Sequence, residues 1–257
     1  MGSLWKALVV ALAGGAGLLV ACAGSEHPDS ATSSGAEEET RGAQSTATAA
    51  FDPATHMRLT HHTALRMRDA LVGGDMTGLK KTAEQLRVEL SDELLPERLL
   101  PYRAQLDEAA QRVLDASNVA QAADAVAGVA KECGDCHWFA RKGPQRFRVD
   151  TRLPTRGEET LGARMMRHGV AAEQFWIGLV GPSEDMWSAG AKTLASAPLA
   201  PPTVDDSSPR GARVAADAEA LREVAKAARL ADSFEDRAQV YGQFLAACAT
   251  CHRQQPR

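Results

Sequence analysis

Isoleucine is almost missing from this chain: Ile177 is the single copy in 257 residues, and 16 valines stand against 48 alanines. Aromatic residues are scarce too, at 5%. A chain short of β-branched and aromatic residues makes a poor sheet, while alanine is the strongest helix former. An all-α fold is therefore expected. An excess of positive charge is also absent; the net charge of -4 excludes a general nucleic-acid binder. Hydrophobic residues at 44% and charged ones at 24% permit a packed core and exclude wholesale disorder. With so few rings, something other than Phe, Tyr and Trp is expected to fill part of that core.

Cysteine is sparse, and the five copies sort without remainder. Cys22 stands alone. Cys133 pairs with Cys136 and Cys248 with Cys251, and a histidine follows each pair at once.

Residues 1–21 read as a short basic start at Lys6 and an apolar run from Ala7 to Val20. The run is short and glycine-rich for a membrane span. It ends Leu19-Val20-Ala21-Cys22, which resembles the bacterial lipobox. The resemblance implies a signal peptide over 1–21, cut just before Cys22, and a diacylglycerol on that thiol. An ordinary secretory signal beside an unrelated cysteine is the alternative. Residues 22–51 follow as a tether of Ser, Thr, Ala, Gly and Glu with no apolar period. At roughly 5–6 Å × √n, such a chain spans about 30 Å.

From Asp52 onward the pattern is helical. Asp52-Pro53 is an N-cap with proline at the first helical position. Helices are expected from there to Val72, from Asp75 to Leu94, from Pro101 to Ser117, and from Val119 to Ala140. The last carries Val119, Ala122, Val126, Val129, Cys133 and His137 on one face. The pattern then restarts, with helices expected over 158–180, 182–196 and 210–230 and from Ser233 onward. Leu106 and Leu221 lie 115 apart, as do Cys133 and Cys248. At the first helices the offset is 108, from Leu71-Val72-Gly73 to Leu179-Val180-Gly181. A duplication with loop insertions accounts for this. The expected layout is two tandem four-helix bundles, residues 52–142 and 157–257, joined by a basic linker over 143–156.

Cys133-Gly134-Asp135-Cys136-His137 and Cys248-Ala249-Thr250-Cys251-His252 are both C-x-x-C-H, the attachment motif of c-type haem. Cysteines three apart on a helical turn reach both vinyl groups of one haem as thioethers. The histidine that follows lies under the iron and supplies its proximal ligand. Zinc and redox or structural disulfides compete for C-x-x-C pairs. Two copies, each with histidine at the same place in an exported chain, favour two covalent haems on Cys133 and Cys136 and on Cys248 and Cys251. His137 and His252 are then the proximal ligands.

A C-x-x-C-H ending the last of four helices resembles the cytochrome c-prime family. That resemblance implies a haem packed inside each four-helix bundle. Phe139 and Arg141 follow the first motif much as in that family, whereas Arg253-Gln254-Gln255 departs from it. In such a bundle the first and fourth helices are antiparallel neighbours. The distal candidates are therefore Met57, His61 and His62 for the first haem, and Met165 and His168 for the second; an open sixth position is the other possibility. Trp138 is a candidate haem neighbour. Arg141, Lys142, Arg146, Arg148, Arg152 and Arg156 oppose one acid, Asp150, in a stretch suited to propionates or an acidic partner.

These readings imply a membrane-anchored carrier of single electrons in the bacterial cell envelope, facing the periplasm, and not an enzyme. Its expected partners are redox proteins of the envelope and the membrane through its lipid; a second copy of the chain is a further candidate. A gas-binding or gas-detoxifying haem protein with an open site, or a haem subunit of a reductase or peroxidase, is the alternative. The anchor is directly testable. Cys22→Ser is expected to move the protein from the membrane to the soluble fraction or to leave it unprocessed. A processed mutant that still sediments with membranes excludes the lipobox.

Overall fold

The computed structural model describes residues 52–91, 95–140, 160–196 and 208–254. Cys22, the signal and tether segments and the 143–156 linker lie outside them. Among the described residues the chain forms eight α-helices, one short 3-10 turn and no strand. The all-α expectation is met.

Local signals set the helix ends. Helix α1 spans Pro53–Val72, and the Asp52 carboxylate accepts from the N–H groups of Ala54 at 3.0 Å and Thr55 at 3.2 Å. It stops at Gly73-Gly74, where Gly74 takes φ +75°. Helix α2 spans Met76–Leu90, short of the expected Leu94, with Asp75 as its cap and Ser91 closing its end. A 3-10 turn over Glu97–Leu99 leads into α3, Leu100–Asp115. Asn118 accepts from the Gln121 N–H and starts α4, Val119–Ala140. Thr160 caps α5, Leu161–Val180, so this helix begins later than Glu158. Helix α6 is Glu184–Ser196 and α7 is Pro209–Ala228, the latter with Ser208 as cap. Helix α8, Phe234–Gln254, opens with a capping box. The Ser233 hydroxyl accepts from the Asp236 N–H at 3.0 Å, and the Asp236 carboxylate accepts from the Ser233 N–H at 3.4 Å.

Within each half, successive helices lie side by side and the first returns to the fourth. The halves also meet extensively, and all eight helices belong to one compact unit. Helix α4 runs antiparallel to α8. Trp138 at the end of one meets Phe234 at the start of the other, and Gly242 lies against Asp124. One apolar core runs through both halves. In the first it is built of Leu71, Leu79, Leu86, Val113 and alanines of α4. In the second it holds most of the buried rings: Phe175, Trp176, Trp187, Tyr241 and Phe244. No helix among the described residues is long and apolar enough to cross a membrane.

Helices α5 and α6 touch backbone to backbone at Gly178. A Cβ there would stand 2.9 Å from the nitrogen and Cα of Trp187. Gly178→Ala gains about 1 kcal/mol of helix propensity, but overpacking costs roughly 1–3 kcal/mol, and fixed backbone atoms put this site at the high end. A net loss of about 1–2 kcal/mol is expected in urea melts followed by circular dichroism. Gly169, with nothing within 4 Å of its Cβ, is the contrast. Gly169→Ala should stabilise by about 1 kcal/mol; equal effects at the two glycines would contradict the close approach.

Candidate functional site

Both cysteine-histidine motifs occupy the last turns of their helices. On α4, Cys133 faces the core and Cys136 lies one turn on. All four cysteines of the two motifs are free thiols. Burial, reinforced by Cys136 and Glu132, pushes the Cys133 thiol up to about 12. Burial also raises Cys136. Reactive cysteines need the opposite surroundings, which favour thiolate.

The glycine within the first motif has a structural cause. A Cβ on Gly134 would collide with the carbonyl oxygen of Leu179. Its absence lets the end of α4 rest on the end of α5, where the last carbonyls of a helix have no intrahelical donor. One of these is met by the motif's own histidine: His137 Nδ1 lies 2.6 Å from the Val180 carbonyl oxygen. A carbonyl only accepts, so Nδ1 carries the proton and Nε2 keeps its lone pair. A metal-bound histidine is commonly oriented this way, through a backbone carbonyl on its other nitrogen.

The second motif ends α8, with Ala249 where the first has Gly134. The Cys248 thiol is pushed up to about 12, first by burial and then by Cys251. Cys251 is raised by burial and then by Asp217 of α7. The end of α8 reaches the turn after α1, where Arg253 Cγ lies 2.7 Å from where a Cβ on Gly74 would be. His252 itself is exposed.

Each motif histidine has a second histidine near it. His168 on α5 is lowered to about 4, first by burial, then by the charges of His252 and Arg164. It is neutral at physiological pH. Its Nε2 is buried and has no hydrogen-bond partner among the described residues. An unpaired buried polar atom costs about 1–3 kcal/mol, so the position fits an electrophile or donor from outside the chain. His61 on α1 is lowered by burial, while Glu173 raises it and His137 lowers it again. Its Nε2 accepts from Trp176 Nε1 at 3.1 Å. The structure therefore brings His61 to the first motif and His168 to the second. The other candidates sit farther out: Met165 is 38% exposed, His62 is exposed and Met57 is half-buried.

Sequence reasoning placed Trp176 only as a core ring. It also missed Arg68 and Glu173, whose side chains join α1 to α5 at 2.6 Å, with Arg68 5.6 Å from the centroid of the Trp176 ring. An indole N–H needs a partner when buried, and that was the readable signal.

No protein family, no curated protein and no solved structure matches the chain. The reading of the site therefore rests on its own chemistry. Among the described residues no three His, Cys, Asp or Glu side chains converge to hold one ion, whereas structural zinc takes four such ligands. Haem iron asks the protein for two axial ligands at most, and each motif histidine has one second histidine close enough to feel its charge, His61 for His137 and His168 for His252.

The depressed His168 sets a pH dependence. With a folded value of about 4 against 6.5 free, the unfolded chain takes up a proton in that window which the folded chain refuses. Stability is full above pH 6.5 and falls as the pH drops toward 4, by about 3 kcal/mol at 1.36 kcal/mol per unit. Urea midpoints measured between pH 7 and 4 should fall, and His168→Leu should flatten that slope. An unchanged slope would place His168 in water rather than in the core.

Proposed function

We propose that this chain is a dihaem cytochrome c that carries single electrons in the bacterial cell envelope. One observation carries the reading: each C-x-x-C-H histidine ends a helix opposite a second histidine on the antiparallel first helix of its own half. Cys133 and Cys136 would hold one haem as thioethers, and Cys248 and Cys251 the other. His137 and His252 would lie beneath the two irons. The chemistry supplied by bound haem is the exchange of one electron as iron changes valence. The remaining work belongs to the chain. The Val180 carbonyl fixes the His137 tautomer and turns Nε2 outward. Burial keeps His168 neutral, so that its Nε2 can close the second site.

In this reading each set of four helices is one haem-binding bundle, resembling the cytochrome c-prime family in the placing of its C-x-x-C-H motif. The orientation of His137 and the orphan nitrogen of His168 are what a group needing axial nitrogen ligands requires. The role proposed for the two haems is electron transfer. Lipid on Cys22 would hold the carrier at the membrane, with redox proteins of the envelope as donor and acceptor.

Two measurements test this. Denaturing mass spectrometry should find two haems per chain, and Cys133→Ala with Cys136→Ala should lose one of them. His168→Ala should make one further ferrous haem per chain able to bind carbon monoxide. Apoprotein recovered after acid-acetone extraction would overturn covalent attachment.

A further inference from the structure

One buried donor decides whether a histidine nitrogen is free. At the offset of 108, Trp176 of α5 corresponds to Arg68 of α1. The two meet, with the guanidinium carbon 5.6 Å from the centroid of the indole. Arg68 gives Nε and Nη2 to Asp69, at 3.0 and 2.9 Å, and Nη2 also to Glu173, at 2.6 Å, while its Nη1 is buried without a partner. Trp176 has one donor, and it goes to Nε2 of His61 at 3.1 Å. The indole is fully buried and has Tyr241 of α8 beside it, with ring centroids 6.2 Å apart. It has no room to turn away.

An imidazole nitrogen has one lone pair in the ring plane. It cannot accept from an indole N–H and bind iron at the same time. On His61 that lone pair is committed; on His168 the equivalent nitrogen is buried and unpartnered. Resting on the haem reading above, the geometry points to an unequal pair of sites: Trp176 holds His61 out of coordination, so that the first iron keeps an open sixth position for a small neutral ligand, while His168 closes the second. Trp176 is thus a positioning residue that acts through His61. The class of ligand follows from the surroundings. The fixed charges beside His61 and the indole N–H are those of Arg68 and Glu173, which pair with one another at 2.6 Å; surroundings without net charge suit an uncharged diatomic molecule.

The test uses the full chain carrying both haems, counted by denaturing mass spectrometry. Reduced protein is titrated with carbon monoxide, and ferric protein is examined by electron paramagnetic resonance for a high-spin signal. Wild type should bind one carbon monoxide per chain and show one high-spin iron. Trp176→Phe keeps a buried ring and removes the N–H. It should release His61 to the iron, so that uptake falls from one to none and the high-spin signal disappears. His61→Ala should leave uptake at one, and adding it to Trp176→Phe should restore one. If Trp176→Phe does not fold, His61→Ala still decides, because a wild type in which His61 binds iron takes up none and gains one in that variant. With two haems present, zero or two carbon monoxide molecules in wild type overturns the inference, as does a Trp176→Phe protein that still binds one. A chain carrying no haem defeats the underlying reading as well, and the haem count tells that failure apart from the others.

Discussion

The approach of α4 to the end of α5 is the constraint from which the site follows. It depends on an absent side chain. With any Cβ at position 134, the Leu179 carbonyl oxygen would push the helices apart. The 2.6 Å contact from His137 to Val180 would then be lost, and with it the tautomer of the imidazole. A single glycine inside the motif therefore links helix packing to ligand chemistry. It also ties the halves together, because α4 belongs to the first and α5 to the second. The interface between the halves is thus part of the site and not a separate feature of the fold.

The same logic holds for the long contact of α4 with α8. Alanines fill most of the buried face of α4, and Gly242 of α8 stands against Asp124. Small side chains let the axes come close, and dispersion between backbones replaces the bulk that large side chains would supply. The shortage of aromatics is uneven: the second half has five large rings in its core and the first relies on Leu and Val. That imbalance places the indole of Trp176 where the first half has a guanidinium. The two sets of four helices thereby carry chemically different environments.

Much of this was legible in the residues. Asp52-Pro53, Asn118, Ser208-Pro209 and Ser233 with Asp236 mark helix starts by capping chemistry, and the structure uses each of them. The stripe Val119, Ala122, Val126, Val129 is buried as its spacing requires. Other features were not legible. Met165 and His168 were both candidates by sequence, yet three residues leave them about 60° apart round the helix. Met165 falls on the solvent side of that divide. The pairing of α4 with α8 had no signal, because alanine fits a face toward any neighbour. The hydrogen bond from His137 to Val180 joins residues 43 apart in the chain; local periodicity carries no information at that range.

The uncoupling of architecture from coordination has a physical basis. Helix packing sets where α1 stands against α4 and α5 against α8, the helices that carry the two motifs. Coordination depends on one lone pair, and one neighbouring donor suffices to engage it. A hydrogen bond contributes about 0.5–1.5 kcal/mol to a fold, less than the packing of a single large buried side chain. Exchange of Arg for Trp at one buried position can therefore alter the ligand available to one half while the helices stay in place. Electrostatics adds to the difference. Glu173 lies near His61 and raises its proton affinity against burial, whereas Arg164 and His252 lower that of His168. Burial is the first cause at both, so both imidazoles are held below the ordinary value and neutral, and what separates them is the indole donor that only His61 meets.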